Sequence, residues 1–152
     1  MTSEFTLNEQ DGVWYAAGPL NENARFGPLL GAKPPAKLNL EAVTTTNSLG
    51  IKIFVQFMQA MGAAVIEFHA CSITMLELFN SFPAALGDPP QPSRVKSFHL
   101  PFTCAAGGHS FVVCFAAESL DHAGDPRPCR RCRRPASLDG TLEDYLMFLE
   151  HS

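Results

Sequence analysis

The chain has 152 residues, a hydrophobic fraction of 46% and a formal net charge of −4. That is enough apolar material to bury one core, while no stretch is long and apolar enough to span a bilayer, and the acidic balance argues against a general nucleic-acid binder. Five cysteines are an odd number, and the start Met1-Thr-Ser-Glu-Phe-Thr-Leu has neither the basic segment nor the apolar run of an export signal. A cytoplasmic, membrane-free protein with thiols or metal ligands is therefore expected, rather than a disulfide framework.

In chain order, residues 5–7 and 13–17 read as short strands joined by the turn Asp11-Gly12, and Gly18-Pro19 stops the second. Residues 23–30 predict a short helix around Gly27-Pro28, with Phe26, Leu29 and Leu30 inward. After the loop Gly31-Ala-Lys-Pro-Pro35, residues 37–43 form the next strand. Residues 48–61 carry Ile51, Phe54, Val55, Met58 and Met61 at helical spacing, ended by Gly62. An apolar strand over 63–68 and a helix over 72–79 follow, the latter closed by Pro83; Gly87 to Pro92 is a proline-rich linker, and 94–100 alternates as a half-buried strand should. This alternation predicts an α/β fold in which helices pack on a sheet with parallel pairs.

The connection Thr44-Thr-Thr46-Asn47-Ser48-Leu-Gly50 leads from a strand into the 48–61 helix. Asn47 or Ser48 can accept a hydrogen bond from the first helical N–H groups, and the free donors with the positive end of the helix dipole would stabilise an anion there. A plain helix cap is the simpler reading of the same residues.

Taken together, Gly12-Val-Trp-Tyr-Ala-Ala-Gly18-Pro-Leu-Asn, Leu38-Asn-Leu-Glu and Asn47-Ser-Leu-Gly50 resemble the STAS domain, the fold of anti-sigma-factor antagonists and of sulphate-transporter cytoplasmic tails. The resemblance covers roughly residues 11–100, and Cys71-Ser-Ile-Thr-Met-Leu-Glu-Leu-Phe79 resembles the helix that closes that fold. It implies a STAS-like mixed sheet over residues 1–100 and a bacterial regulator that signals by switching protein partners. It also implies a phosphorylation and partner-binding site made of Thr46, Asn47, Ser48 and Gly50, with Ser48 the residue a partner kinase modifies. Asn47 stands where the family most often has Asp, so the hydroxyl and the glycine are kept and the carboxylate is not.

Beyond residue 100 the character changes. Pro101-Phe-Thr-Cys104-Ala-Ala-Gly107-Gly-His109 followed by an apolar run resembles the first knuckle of a zinc ribbon, and Cys129-Arg-Arg-Cys132 its second. In such a site paired thiolates point at one ion because a tight turn aims the intervening N–H groups at sulfur. Gly107 occupies the place of one cysteine, which leaves Cys104, Cys129 and Cys132 as ligands of a structural zinc, with His109 as the fourth. Cys114, inside the apolar run 111–115, is expected to face the core. Residues 101–152 are thus a degenerate zinc-ribbon-like extension. A metal-free relic and a redox-active Cys129/Cys132 pair stay open as alternatives, although the pair does not follow a strand and open a helix as a thioredoxin-like site would.

Of the other histidines, His69 reads as a satisfied structural residue, and His99, His122 and His151 are assigned no chemistry. Asp11, Glu22, Glu41 and Glu67 have no visible Ser or His partner, so no catalytic constellation is legible. The end of the chain predicts a helix capped by Thr141 with Leu142, Tyr145, Leu146, Phe148 and Leu149 on a wide apolar face, to be docked on its own domain, on a second copy or on a partner. The expectation is a non-enzymatic interaction module with a kinase or anti-sigma-like protein partner. A homodimer stays open, and the alternative is a zinc-ribbon-type nucleic-acid-binding or metal-responsive protein using Arg127, Arg130, Arg131, Arg133 and Arg134.

Overall fold

Thr6–Gln10 (β1) and Val13–Ala17 (β2) form the hairpin promised by Asp11-Gly12, whose two residues take φ values of 51° and 82°. Two positive φ angles in a row match the twist of the flanking strands, and the Asp-Gly pair tolerates them. The computed structural model of the protein describes residues 4–150, without the Glu150 side chain; His151, considered above, lies outside them.

β2 pairs in parallel with Ala36–Ala42 (β3), and β3 in parallel with Ile66–His69 (β4). Single bridges from Phe68 to Val95 and from Cys71 to Phe98 then seat the start of Ser97–Cys104 (β5) parallel to the end of β4. The connections are a 3-10 turn over Gly27–Gly31, helix α1 over Ser48–Met61 and helix α2 over Ile73–Ser81. Leu38, Leu40, Ile66, Phe68, Phe98 and Leu100 alternate inward and are buried. Phe54 of α1 and Phe79 of α2 lie 5.8 and 5.3 Å from Phe68, ring centre to ring centre, so both helices cover one face of the sheet. The protein is a mixed α/β fold.

β5 also carries the second sheet, of order β6-β5-β8-β7, built with Ser110–Ala116 (β6), Arg127–Pro128 (β7) and Pro135–Leu138 (β8). Its first residues bridge to the β4 side, and its last three, Phe102 to Cys104, pair with β8. The boundary expected between residues 100 and 101 falls inside this strand. Pro101 suggests a break, yet the alternation of half-buried and buried residues runs through it, and its carbonyl accepts a bond from the Asp139 N–H at 2.9 Å.

The helix expected over 23–30 is only the 3-10 turn Gly27–Gly31. Phe26 and Leu29 are buried as expected, but Leu30 is exposed, because three residues per turn do not return it to the face of Phe26. The stretch expected as a linker is anchored at both ends, with Ala85, Leu86 and Pro92 buried. The terminal helix is one turn, Leu142–Tyr145 (α3), followed by a 3-10 turn over Met147–Glu150. Asn80 of α2 accounts for its shortness: the side chain donates to the Asp144 and Tyr145 carbonyls and accepts from the Phe148 N–H at 2.7 Å. Phe148 is buried with its ring 6.1 Å from Phe79, so the tail docks on its own domain. No helix among the described residues is long and apolar enough to cross a membrane.

Candidate functional site

Cys104 ends β5 and starts a tight turn. Its N–H donates to the His109 carbonyl at 2.9 Å, and its carbonyl accepts from the Gly108 N–H at 2.7 Å. The second turn lies between β7 and β8, where the Cys129 N–H donates to the Arg134 carbonyl and the Arg133 N–H, with Arg133 at φ 61°, donates to the Cys129 carbonyl. Because β8 pairs with β5 at Cys104–Ala136, the two turns face each other. Ligand atoms of Cys104, His109, Cys129 and Cys132 all lie within 4.8 Å of one another. The Cys104 and Cys132 sulfurs are 3.3 Å apart, and Cys129 Sγ is 3.5 Å from His109 Nδ1.

A tetrahedral ion bonded to sulfur at about 2.3 Å would hold its ligand atoms roughly 3.8 Å apart, so the cluster is compatible with a metal site. The Cys132 and Arg131 amides point at the Cys129 sulfur and hold its pKa down to about 6, the condition a ligand thiolate needs. At Cys132 the Arg134 amide pulls the other way from the shared contact with Cys104 and burial, which together raise its pKa. Three thiolates around a divalent ion would leave one negative charge, and Arg127, Arg130, Arg131, Arg133 and Arg134 are neighbours of Cys129 and Cys132 along the chain. Two of them also pack on rings: Arg127 lies 4.5 Å over Phe115, and Arg130 lies 5.5 Å over Phe111.

Gly107 leaves the room that His109 takes in the cluster. A Cβ at residue 107 would sit 2.6 Å from His109 Cε1, so the imidazole occupies the room the glycine leaves. The Gly-Gly-His text was the signal for this in the sequence. Cys114 is outside the cluster and, contrary to expectation, exposed: β6 turns Phe111, Val113 and Phe115 inward and Cys114 outward. Cys71 is wholly buried, and burial pushes its thiol pKa up.

At the other site, β3 leads through Thr46, bridged to Leu20, into α1. Asn47 is the cap: its Oδ1 accepts from the Gly50 N–H at 2.8 Å, and its Nδ2 donates to Glu22 Oε2 at 3.0 Å. Ser48 is the first helical residue and exposed, as is Leu49. Gly50 is buried, and a Cβ there would run into the Leu20 carbonyl oxygen. Ser48, Ile51, Lys52, Val55 and Phe82 line a groove of about 500 Å³ along α1. The Asn47 bond lowers the Glu22 pKa and sets a carboxylate beside the turn, a contact across 25 residues that the sequence reading missed.

The remaining candidates are dispersed. His69 bonds Glu67 at 3.1 Å, as a structural histidine would, Glu41 lies 3.8 Å from His99, and Asp11 sits in the β1–β2 turn. No family model, curated protein or solved structure matches the chain.

Proposed function

We propose that the protein is a STAS-like regulatory interaction module without enzymatic activity, which docks a kinase or anti-sigma-like protein in the cytoplasm through the Ser48 turn. The observation that carries this reading is the exposed Ser48 hydroxyl at the amino terminus of α1, on a turn pinned by Asn47 and Gly50 and flanked by an apolar groove. The succession of parallel strands and covering helices supports the STAS resemblance. A phosphate on Ser48 would meet the free N–H groups of the first turn and change the charge offered to a partner far more than it changes the fold.

On this reading the carboxy-terminal segment is held by a structural zinc on Cys104, His109, Cys129 and Cys132. Three sulfurs and one imidazole nitrogen suit zinc, and four protein ligands close the shell, so the ion's contribution would be cross-linking rather than catalysis.

The test is recovery of partner proteins from cells of the native host on wild type, Ser48→Asp and Ser48→Ala, with melting curves for all three. Changed recovery of one partner by Ser48→Asp, at an unchanged melting midpoint, is expected. Equal recovery by the three proteins overturns the reading.

A further inference from the structure

Among the described residues, Arg94 is the one charged residue that is buried. It is 5% exposed, at the end of a short 3-10 turn over Pro92–Arg94 that feeds β5. Its Nη1 donates to the Ala64 carbonyl at 3.1 Å, its Nε is buried without a partner, and none of the ion pairs among the described residues reaches it. Burial lowers its pKa, but a guanidinium stays charged at neutral pH. A positive charge largely taken out of water with one carbonyl as its partner among the described residues is costly, and such groups are normally paired with an anion.

The surroundings of Arg94 suit that anion. It forms part of the wall of a pocket of about 120 Å³ together with Gln91, Ser93, Lys96, Val65 and Glu67. The hydroxyl, amide and ammonium add donors to those of the guanidinium. The guanidinium is already in place: it packs along Gly87, where an added Cβ would lie 3.6 Å from its Nε. The volume admits one phosphate-sized group and not a nucleotide. Glu67, also in the lining, would oppose an anion, although its carboxylate is engaged by His69 at 3.1 Å.

We propose that this pocket binds a phosphate-sized oxyanion, free or at the end of a phosphomonoester, with Arg94 as its buried counter-charge and Lys96 at the mouth. Guanidinium recognises tetrahedral oxyanions with several N–H groups at once, and one held in place by burial needs little reordering to do so. The site is separate from the Ser48 turn and the cysteine cluster, and stands or falls independently of both.

The experiment titrates the full chain with inorganic phosphate, glycerol 3-phosphate and acetate at constant ionic strength, reading heat, melting midpoint and the Arg94 Nε–H resonance. Saturable phosphate binding that moves this resonance and raises the midpoint is expected, with acetate weaker. Tighter binding of glycerol 3-phosphate would identify a phosphomonoester, and tighter binding of inorganic phosphate the free ion. Lys96→Gln should weaken binding several-fold and Glu67→Gln should strengthen it; both side chains lie outside the buried core, so neither reading depends on a change in folding. Arg94→Gln, where folded, should abolish binding. An unmoved Arg94 resonance, a midpoint shift matched by sodium chloride, or phosphate affinity unchanged by both Lys96→Gln and Glu67→Gln overturns the proposal.

Discussion

The mixed sheet β1–β4 and the antiparallel sheet beyond it, a ribbon of short strands, close in different ways. Around β3 and β4 the chain packs Phe26, Phe54, Phe57, Phe68, Phe79 and Phe148 ring against ring, some stacked and some tilted or edge-on, with neighbouring centroids 4.8 to 6.2 Å apart. The ribbon has a smaller apolar set, Phe102, Phe111 and Phe115, partly covered by arginine, and its two turns converge on three sulfurs and an imidazole. Apolar burial stabilises the first without help, whereas the second gathers polar sulfur and nitrogen atoms within 4.8 Å of one another. One chain thus carries a core that closes by packing and an appendage whose turns converge on a cluster compatible with a metal site, joined through β5.

Breaking the packed side should have the largest effect. Phe68 is fully buried between α1 and α2, and Phe68→Ala should cost about 3–5 kcal/mol, the usual range for deleting a buried ring. Chemical denaturation should show this loss in one transition that takes both regions, since β5 is shared. A loss below about 1 kcal/mol would mean that the core is far looser than its packing.

Breaking the coordinated side should be local. Chelation, or Cys132→Ser, should release the backbone bonds of the two turns and speed amide exchange over residues 104–138, while Leu38, Leu40 and Phe68 stay protected. Elemental analysis should find about one zinc per chain before chelation, as expected of a closed four-ligand site. Well under one, after growth with added zinc, would leave a metal-free ribbon. A sharper version exchanges the fourth ligand. Gly107→Ala should weaken zinc binding by displacing the imidazole, while Gly107→Cys together with His109→Ala should restore it with a fourth sulfur; equal affinity in Gly107→Ala would show that the glycine plays no part.

These contrasts mark what could be read from the sequence. Helix α1 begins and ends where expected because local chemistry decides it: Asn47 caps the first turn, and Gly62, at φ 57°, accepts the reversal that ends it. The four clustered residues, Cys104, His109, Cys129 and Cys132, were legible because each of the two turns that carry them is local. Where the outcome depends on distant partners, the sequence was silent. Residues 94–104 look like two texts divided at Pro101, because nothing local tells that β5 has one set of neighbours along its first half and another along its second. Asn80 shortens the final helix from 68 residues away, and the burial of Arg94 against Ala64 follows from tertiary packing alone.

Asn80 offers the next, smaller test. Asn80→Ala removes two donors and an acceptor from the backbone of the docked tail, which should cost about 1–2 kcal/mol and free the last turn, since the bonds are exposed or half-buried and water can replace part of each. Faster exchange at Phe148 with an unchanged ribbon is the expected signature. A protein of unaltered stability would show that Phe148 holds the tail by packing alone.

The smallest effect belongs to the Ser48 turn, and it separates the two roles of Asn47. Its Oδ1 caps α1 and its Nδ2 holds Glu22, so Asn47→Ala should cost about 1 kcal/mol, the usual worth of a cap. Glu22→Gln leaves the cap intact and removes only an exposed charge, so its effect on the melting midpoint should be slight. Near α1 the lost carboxylate should matter instead to any anion placed at Ser48, whose repulsion from Glu22 disappears. A phosphate on Ser48 should therefore titrate at a lower pH in Glu22→Gln than in wild type, because the dianion is no longer opposed by a neighbouring negative charge, and the phosphorus resonance of the modified protein reads this directly. Identical titration curves would place Glu22 outside the reach of the turn and leave Asn47 as a cap and nothing more.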